Sequence, residues 1–155
     1  MTYEIILADD QPLIRDCVRK ILAEGTDLEI VDEAEDGQAL LHLLETRAAL
    51  PDMVITDISM PKLEGIETTR QIGKLYPKIK VLVLTVHKDE EYAAEAMKAG
   101  AAGYLVKDQA TEELIPAITK IREGESYISA YLARADSDIP TDPASKKSRT
   151  QNGGA

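Results

Sequence analysis

The chain of 155 residues is 44% hydrophobic and 30% charged, enough apolar material to bury one proper core. Its 28 Asp and Glu against 18 Lys and Arg leave a formal net charge of -10, which opposes attraction to a phosphate backbone or an anionic membrane surface. Cys17 has no cysteine to pair with, no apolar run is long enough to span a bilayer, and the first residues enter a strand without a basic, apolar leader, so a cytoplasmic protein is expected.

Up to about residue 123, short apolar runs alternate with amphipathic segments, the pattern of a parallel sheet covered by helices. The first strand, residues 4–8, runs out into Asp9-Asp10. Leu13, Cys17, Val18, Ile21 and Leu22 then recur at helical spacing and predict a helix packed on the sheet, with Cys17 as an inert thiol in its apolar stripe. Residues 29–33 form the second strand, and Leu40, Leu43 and Leu44 mark a second helix on which His42 faces solvent. The third strand, 53–56, exits into Asp57, and Ile66, Thr69, Ile72 and Leu75 define the next helix. Residues 81–84 are the fourth strand and exit into Thr85; this strand and the third are almost wholly apolar, as expected for central strands buried on both faces. His87 is expected to be a solvated loop histidine.

Ala93, Ala96 and Met97 mark the fourth helix, and the fifth strand, 103–106, exits into Lys107. The last helix is expected to open at Thr111, capped by its hydroxyl, with Glu112 and Glu113 in the favourable first turn and Leu114, Ile115, Ile118 and Ile121 facing inward. Gly124 ends it; Pro116 lies inside it, and nothing in the sequence accounts for a proline there. Residues 1–130 are read as one domain and 131–155 as a linker or disordered tail, because apolar periodicity has ended by Asp136. Asp136, Asp138 and Asp142 balance Lys146, Lys147 and Arg149, so the charge of -10 lies within residues 1–135. A connection to a further domain and a vector-derived extension both fit this composition.

In a doubly wound sheet the loops at the carboxyl ends of the strands form the site. Those ends carry Asp9, Asp10, Asp57, Thr85 and Lys107. Three carboxylates converging there repel one another unless a divalent cation lies among them, and hard oxygen donors favour Mg²⁺. Asp57 then suits the role of nucleophile toward a phosphoryl group, Lys107 supplies an ammonium for the transferring oxygens, and the Thr85 hydroxyl can bind one of them and draw its loop inward. Each residue also has an ordinary reading: Asp10 as a helix cap, Asp57 as a loop acid, Lys107 beside Asp108 as an exposed pair, Thr85 as a strand-end hydroxyl, Tyr104 as a half-buried strand aromatic. Only the joint placement favours chemistry.

Together Ala8-Asp9-Asp10-Gln11-Pro12-Leu13-Ile14-Arg15, Thr56-Asp57-Ile58-Ser59-Met60-Pro61 with Gly65, Val83-Leu84-Thr85 and Gly103-Tyr104-Leu105-Val106-Lys107-Asp108 resemble, in order and spacing, the receiver domain of bacterial response regulators over residues 3–125. Lys107-Asp108 and Gly124-Glu125-Ser126-Tyr127-Ile128-Ser129 resemble the NarL/FixJ (LuxR-type) branch, whose members usually append a helix-turn-helix domain. The resemblance implies a flavodoxin-like (βα)5 sandwich with a five-stranded parallel sheet in order 2-1-3-4-5. It implies Mg²⁺ on Asp10, Asp57 and the backbone carbonyl of Ser59, with Asp9 acting through water, phosphorylation of Asp57 by a sensor histidine kinase, and Tyr104 as a ring that turns inward when Thr85 engages phosphate. It further implies a phosphorylation-dependent homodimer, DNA contact only through an output domain outside this sequence, and no membrane partner. Val86 is bulkier than the small residue usual after the threonine, which bears on turnover rate. A phosphohydrolase of the haloacid-dehalogenase type is the rival, but it needs a general acid two residues after its nucleophile, where Ser59 stands here. Apart from self-phosphorylation and autodephosphorylation, no enzyme activity is expected.

Overall fold

The computed structural model describes residues 2–59, 64–130 and 132; Met60 and Pro61 of the third motif, and the expected tail apart from Leu132, lie outside the described residues. Six strands and five α-helices are present among them: β1 (Tyr3–Ala8), α1 (Pro12–Leu22), β2 (Leu28–Ala34), α2 (Gly37–Thr46), β3 (Met53–Thr56), α3 (Gly65–Leu75), β4 (Lys80–Thr85), α4 (Glu90–Lys98), β5 (Gly103–Val106), α5 (Ala110–Arg122) and β6 (Tyr127–Ile128). The sheet is parallel throughout, in order β2-β1-β3-β4-β5-β6.

Alternation along each strand explains the two layers, because successive side chains leave a strand on opposite faces. Ile5 and Leu7, Met53 and Ile55, Leu82 and Leu84, and Leu105 all point to one side, where they meet Val18, Ile21 and Leu22 of α1 and Leu114, Ala117, Ile118 and Ile121 of α5. The interleaved residues Ile6, Ala8, Val54 and Val81 point the other way, onto Leu40 and Leu44 of α2 and Ile72 of α3. Val83, Tyr104 and Val106 continue that second face onto Ala93 and Ala96 of α4.

Four expectations are corrected. The sheet has a sixth strand, two residues long and below the reach of any period-2 pattern; Gly124, at φ +92°, turns the chain after α5, and Tyr127 and Ile128 then run beside Gly103 and Tyr104. On α1 the buried stripe is Val18, Ile21 and Leu22, while Leu13 and Cys17, one turn apart, face solvent with Leu13 79% exposed. Leu75, at the end of α3, is likewise exposed. Finally, α5 starts at Ala110 without a side-chain cap, because residues Lys107–Gln109 form a 3-10 turn that delivers the chain directly into the helix. Pro116 lies on the exposed side of α5, and His42 is exposed as expected. No described helix is long and apolar enough to cross a membrane.

Candidate functional site

The chain reverses its direction of winding between β1 and β3, and the carboxyl ends of these neighbouring strands place Asp9 and Asp57 side by side. Both are buried, although each follows a strand that ends in open polar sequence. The Asp57 N–H donates to the carbonyl of Ala8 (3.1 Å) and the Asp9 N–H to that of Ala34 (3.0 Å), so the sheet ladder itself continues into the site and fixes the two backbones. Lys107, carried in from the end of β5, lies with its Nζ 2.9 Å from Asp9 Oδ2 and 3.2 Å from Asp57 Oδ2. Only 6% of its side chain is exposed, so the ordinary reading of Lys107 as half of a surface pair with Asp108 does not hold: Asp108 turns outward to Lys88.

The remaining carboxylate oxygens are also engaged. Asp9 Oδ1 accepts from the Gln11 N–H (2.9 Å), and Asp57 Oδ1 accepts from the Ile58 N–H (2.7 Å). Asp10 is exposed, and among the described residues its carboxylate accepts no hydrogen bond; it does not cap α1, whose cap position is Gln11 followed by Pro12. Carboxylate oxygens of Asp9, Asp10 and Asp57 all lie within 4.8 Å of one another. Among the described residues, three aspartates against one ammonium would leave two negative charges to be balanced in a partly dry site, which is the charge of one divalent cation. Burial raises the pKa of Asp9 above the ordinary aspartate range, with the Asp57 charge adding to the rise, while Lys107 and the Gln11 N–H oppose it. An oxygen-only donor set in which one carboxylate has no hydrogen-bond partner among the described residues fits Mg²⁺, which takes few protein ligands and retains water.

Some determinants were not visible in the sequence. Gln11 Oε1 accepts from Lys107 Nζ at 2.9 Å, and Arg15 donates to the Asp9 carbonyl at 2.6 Å while its Nε binds Glu33 at 3.1 Å. Gln11 and Arg15 lie inside the first motif, but only the distance of 96 residues closed by the fold shows what Gln11 touches. Gly65 opens α3 against the phosphoacceptor candidate: a Cβ there would fall 1.9 Å from the Asp57 carbonyl oxygen. Its N–H donates to the Ile58 carbonyl (2.9 Å), and Glu64 caps the helix through the N–H groups of Ile66 and Glu67.

His87 is corrected from a solvated loop residue to a half-buried hub. Its Nε2 hydrogen-bonds the Ser59 hydroxyl at 2.6 Å, its N–H donates to the Thr85 hydroxyl (3.3 Å), and its carbonyl accepts from the Tyr104 hydroxyl (2.9 Å). Its ring lies against Tyr92 of α4, with centroids 4.5 Å apart. The Tyr104 ring is fully buried rather than half-buried, and burial pushes its hydroxyl pKa well up. Val86 is exposed beside this hub.

Residues 5–119 match the response regulator receiver domain family. The transcriptional regulatory protein DegU of Brevibacillus brevis is 41% identical over 125 residues, a match covering 81% of this chain and 52% of DegU. Among solved structures, a two-component response regulator of the LuxR family from Aurantimonas sp. SI85-9A1 is 31% identical with a TM-score of 0.82, over 89% of this chain and 97% of that one. The isolated receiver domain of RcsB from Salmonella enterica serovar Typhimurium, with the phosphomimetic BeF3⁻, is 26% identical with a TM-score of 0.79, over 86% and 98% of the two chains. The chain thus spans about half the length of the curated relative it matches.

Proposed function

This chain belongs to the response regulator receiver domain family, in its NarL/FixJ (LuxR-type) branch, and from that premise we propose that Asp57 is its phosphoacceptor. Receiver domains are signalling switches rather than enzymes in the ordinary sense, so the chemistry is one phosphoryl transfer onto the chain and the hydrolysis that ends it. The observation that carries the reading is the buried Asp57 carboxylate with Lys107 Nζ at 3.2 Å, inside a cluster of three aspartates at neighbouring strand ends.

An Asp57 carboxylate oxygen forms a bond to phosphorus as the bond from phosphorus to the donor, a phosphohistidine of the sensor kinase or a small acyl phosphate, breaks. Asp10, Asp57 and the Ser59 carbonyl would hold Mg²⁺, with Asp9 acting through water; when bound, the ion neutralises phosphoryl oxygens. Lys107 contributes the second positive charge from its position between Asp9 and Asp57. Thr85 accepts from His87 with its oxygen, which leaves its hydroxyl proton free to donate to a phosphoryl oxygen. Attack of water on phosphorus then returns the carboxylate and releases phosphate.

The rest of the switch follows from the same contacts. Engagement of Thr85 by a phosphoryl oxygen fixes the loop that carries His87, whose carbonyl holds the Tyr104 hydroxyl, so the state of the site reaches the surface of α4, β5 and α5. The aromatic-switch role expected of Tyr104 therefore lies in which partner fixes its buried ring. Residues 1–130 act as the receiver and 131–155 as a connection; output is a phosphorylation-dependent homodimer controlling transcription in the cytoplasm through a DNA-binding domain outside this chain, and its similarity to DegU, a transcriptional regulatory protein, supports the transcriptional part of this reading. Binding of beryllofluoride with Mg²⁺ tests the site: the wild type is expected to bind it, Asp57→Asn is not, and equal binding by both contradicts the assignment.

A further inference from the structure

Glu113, in the first turns of α5, is a carboxylate for which the phosphoryl site has no use, yet it is only 7% exposed. Its Oε1 accepts from the Ser129 hydroxyl at 2.7 Å, and its Oε2 from the Ala130 N–H at 2.8 Å and the Tyr127 hydroxyl at 3.3 Å. Among the described residues no cation lies against it, so three neutral donors from one short segment replace the water this anion has lost. Hydrogen bonds to an ionised acceptor are the strong kind, and a buried carboxylate deprived of them is costly. The segment from Tyr127 to Ala130 is therefore held to the domain by a specific receptor, not by the two-residue strand β6 alone.

The same segment is held on its other side by Tyr104. Ser129, itself fully buried, donates its N–H to the Tyr104 carbonyl at 2.8 Å, and Ile128 pairs with Tyr104 in the sheet. Leu132, 2% exposed, packs in the apolar cluster that contains the Tyr104 ring. A continuous line of direct contacts thus runs from the Thr85 hydroxyl to the His87 N–H, from the His87 carbonyl to the Tyr104 hydroxyl, and from the Tyr104 carbonyl to Ser129 and Glu113. The helix carrying Glu113 also begins directly after the 3-10 turn that starts at Lys107, so both ends of the segment's receptor are rooted in the site.

We propose that Glu113 is a clasp that couples the phosphoryl site to the segment leaving the domain, closing on Tyr127, Ser129 and Ala130 when Tyr104 is held buried and loosening when it is not. This rests on the phosphoacceptor reading above. Holding Thr85 and His87 in place stabilises the buried Tyr104, and with it the carbonyl that Ser129 binds; residues beyond 130 thereby receive an anchored or a released tether. Coupling of this kind is reciprocal, so losing the clasp weakens binding at the site by up to the factor by which the bound site strengthens the clasp.

The test is amide hydrogen exchange on the 155-residue chain, with and without beryllofluoride and Mg²⁺, beside a beryllofluoride titration. In the wild type, exchange at Ser129 and Ala130 is expected to slow about fivefold or more when beryllofluoride binds. Glu113→Gln keeps the shape but removes the charge that strengthens these bonds and turns the oxygen facing the Ser129 hydroxyl, or the one facing the Ala130 N–H, into a donor; it is expected to lose that protection and to bind beryllofluoride about fivefold or more weakly. Ser129→Ala, a milder change that removes one bond, is expected to move both readouts in the same direction, and it carries the test if Glu113→Gln does not fold. Loss of protection with unaltered beryllofluoride affinity overturns the clasp as a coupling device. Failure of the wild type to bind beryllofluoride overturns the phosphoacceptor reading and the clasp with it, so the two failures are distinguishable.

Discussion

Gly65→Ala is a small change on which two effects of opposite sign compete. Alanine is favoured over glycine in a helix by about 1 kcal/mol, and by less at a first position such as this one. Against that, the added Cβ would lie 1.9 Å from the Asp57 carbonyl oxygen and 2.8 Å from the Asp57 carbonyl carbon and Ile58 Cα. Carbon and oxygen approach one another to about 3.3 Å even in attractive contacts, so a displacement of more than about 1 Å is required. Every atom in the way is backbone, tied by the Gly65 to Ile58 hydrogen bond and by the Asp57 to Ala8 bond, so no side chain can swing aside. Overpacking of this kind costs about 1–3 kcal/mol, which exceeds the propensity gain, and a shift of about 1 Å at a reacting group costs roughly a hundredfold in rate. Gly73→Ala is the control: its Cβ would meet only the Ala99 carbonyl oxygen at 3.5 Å, an ordinary contact, so propensity alone should stabilise it. Thermal unfolding and the rate of modification by acetyl phosphate read the two effects separately. Gly65→Ala is expected to lower Tm by several degrees and slow modification about a hundredfold, whereas Gly73→Ala raises Tm slightly at unchanged rate. An unchanged Tm and rate in Gly65→Ala would refute the close approach of α3 to the phosphoacceptor.

Saturating Mg²⁺ is expected to stabilise the chain by about 2.7 kcal/mol at a hundred times its Kd, and Asp10→Asn to remove most of that gain; a thermal shift equal to the wild type's takes Asp10 out of the ligand set. Asp9, whose carboxyl pKa is raised by burial, supplies stability at low pH that is lost as pH climbs from the ordinary aspartate range through the raised value, because the folded state binds the proton more tightly. In the presence of a chelator, Asp9→Asn is therefore expected to unfold at higher temperature than the wild type above that range, and to show a shallower fall of Tm with pH; a lower Tm at neutral pH would reverse the sign assigned to Asp9. With a net charge of -10, the 155-residue chain is expected to show no salt-sensitive shift of random duplex DNA in a gel, and micromolar binding would overturn the charge argument.

The five main strands and five helices were legible in the sequence because the apolar runs are short and the amphipathic segments long enough for period 2 and period 3.6 to separate. The same reasoning placed Asp9, Asp10, Asp57, Thr85 and Lys107 at strand exits, and topology alone then brought them toward one end of the sheet. It failed where a single turn decides. Leu13 and Cys17 count as members of an apolar stripe on α1, yet one step of 100° separates Cys17 from the buried Val18. It failed again at His87, since nothing in Thr85-Val86-His87 indicates that the ring will bond a hydroxyl 28 residues earlier. The sixth strand and the Glu113 receptor that holds it were out of reach for a related reason. A glutamate in the first turn of α5 has a sufficient local explanation in the helix dipole, so its long-range partners at Tyr127, Ser129 and Ala130 leave no mark in the pattern.

Intact mass of the chain after incubation with acetyl phosphate and Mg²⁺ tests the central claim most directly. The account requires a gain of one phosphoryl group in the wild type, dependent on Mg²⁺ and absent from Asp57→Asn, with the modified residue mapping to Asp57. A gain that persists undiminished in Asp57→Asn, or a wild type that gains nothing with Mg²⁺ present, would contradict it.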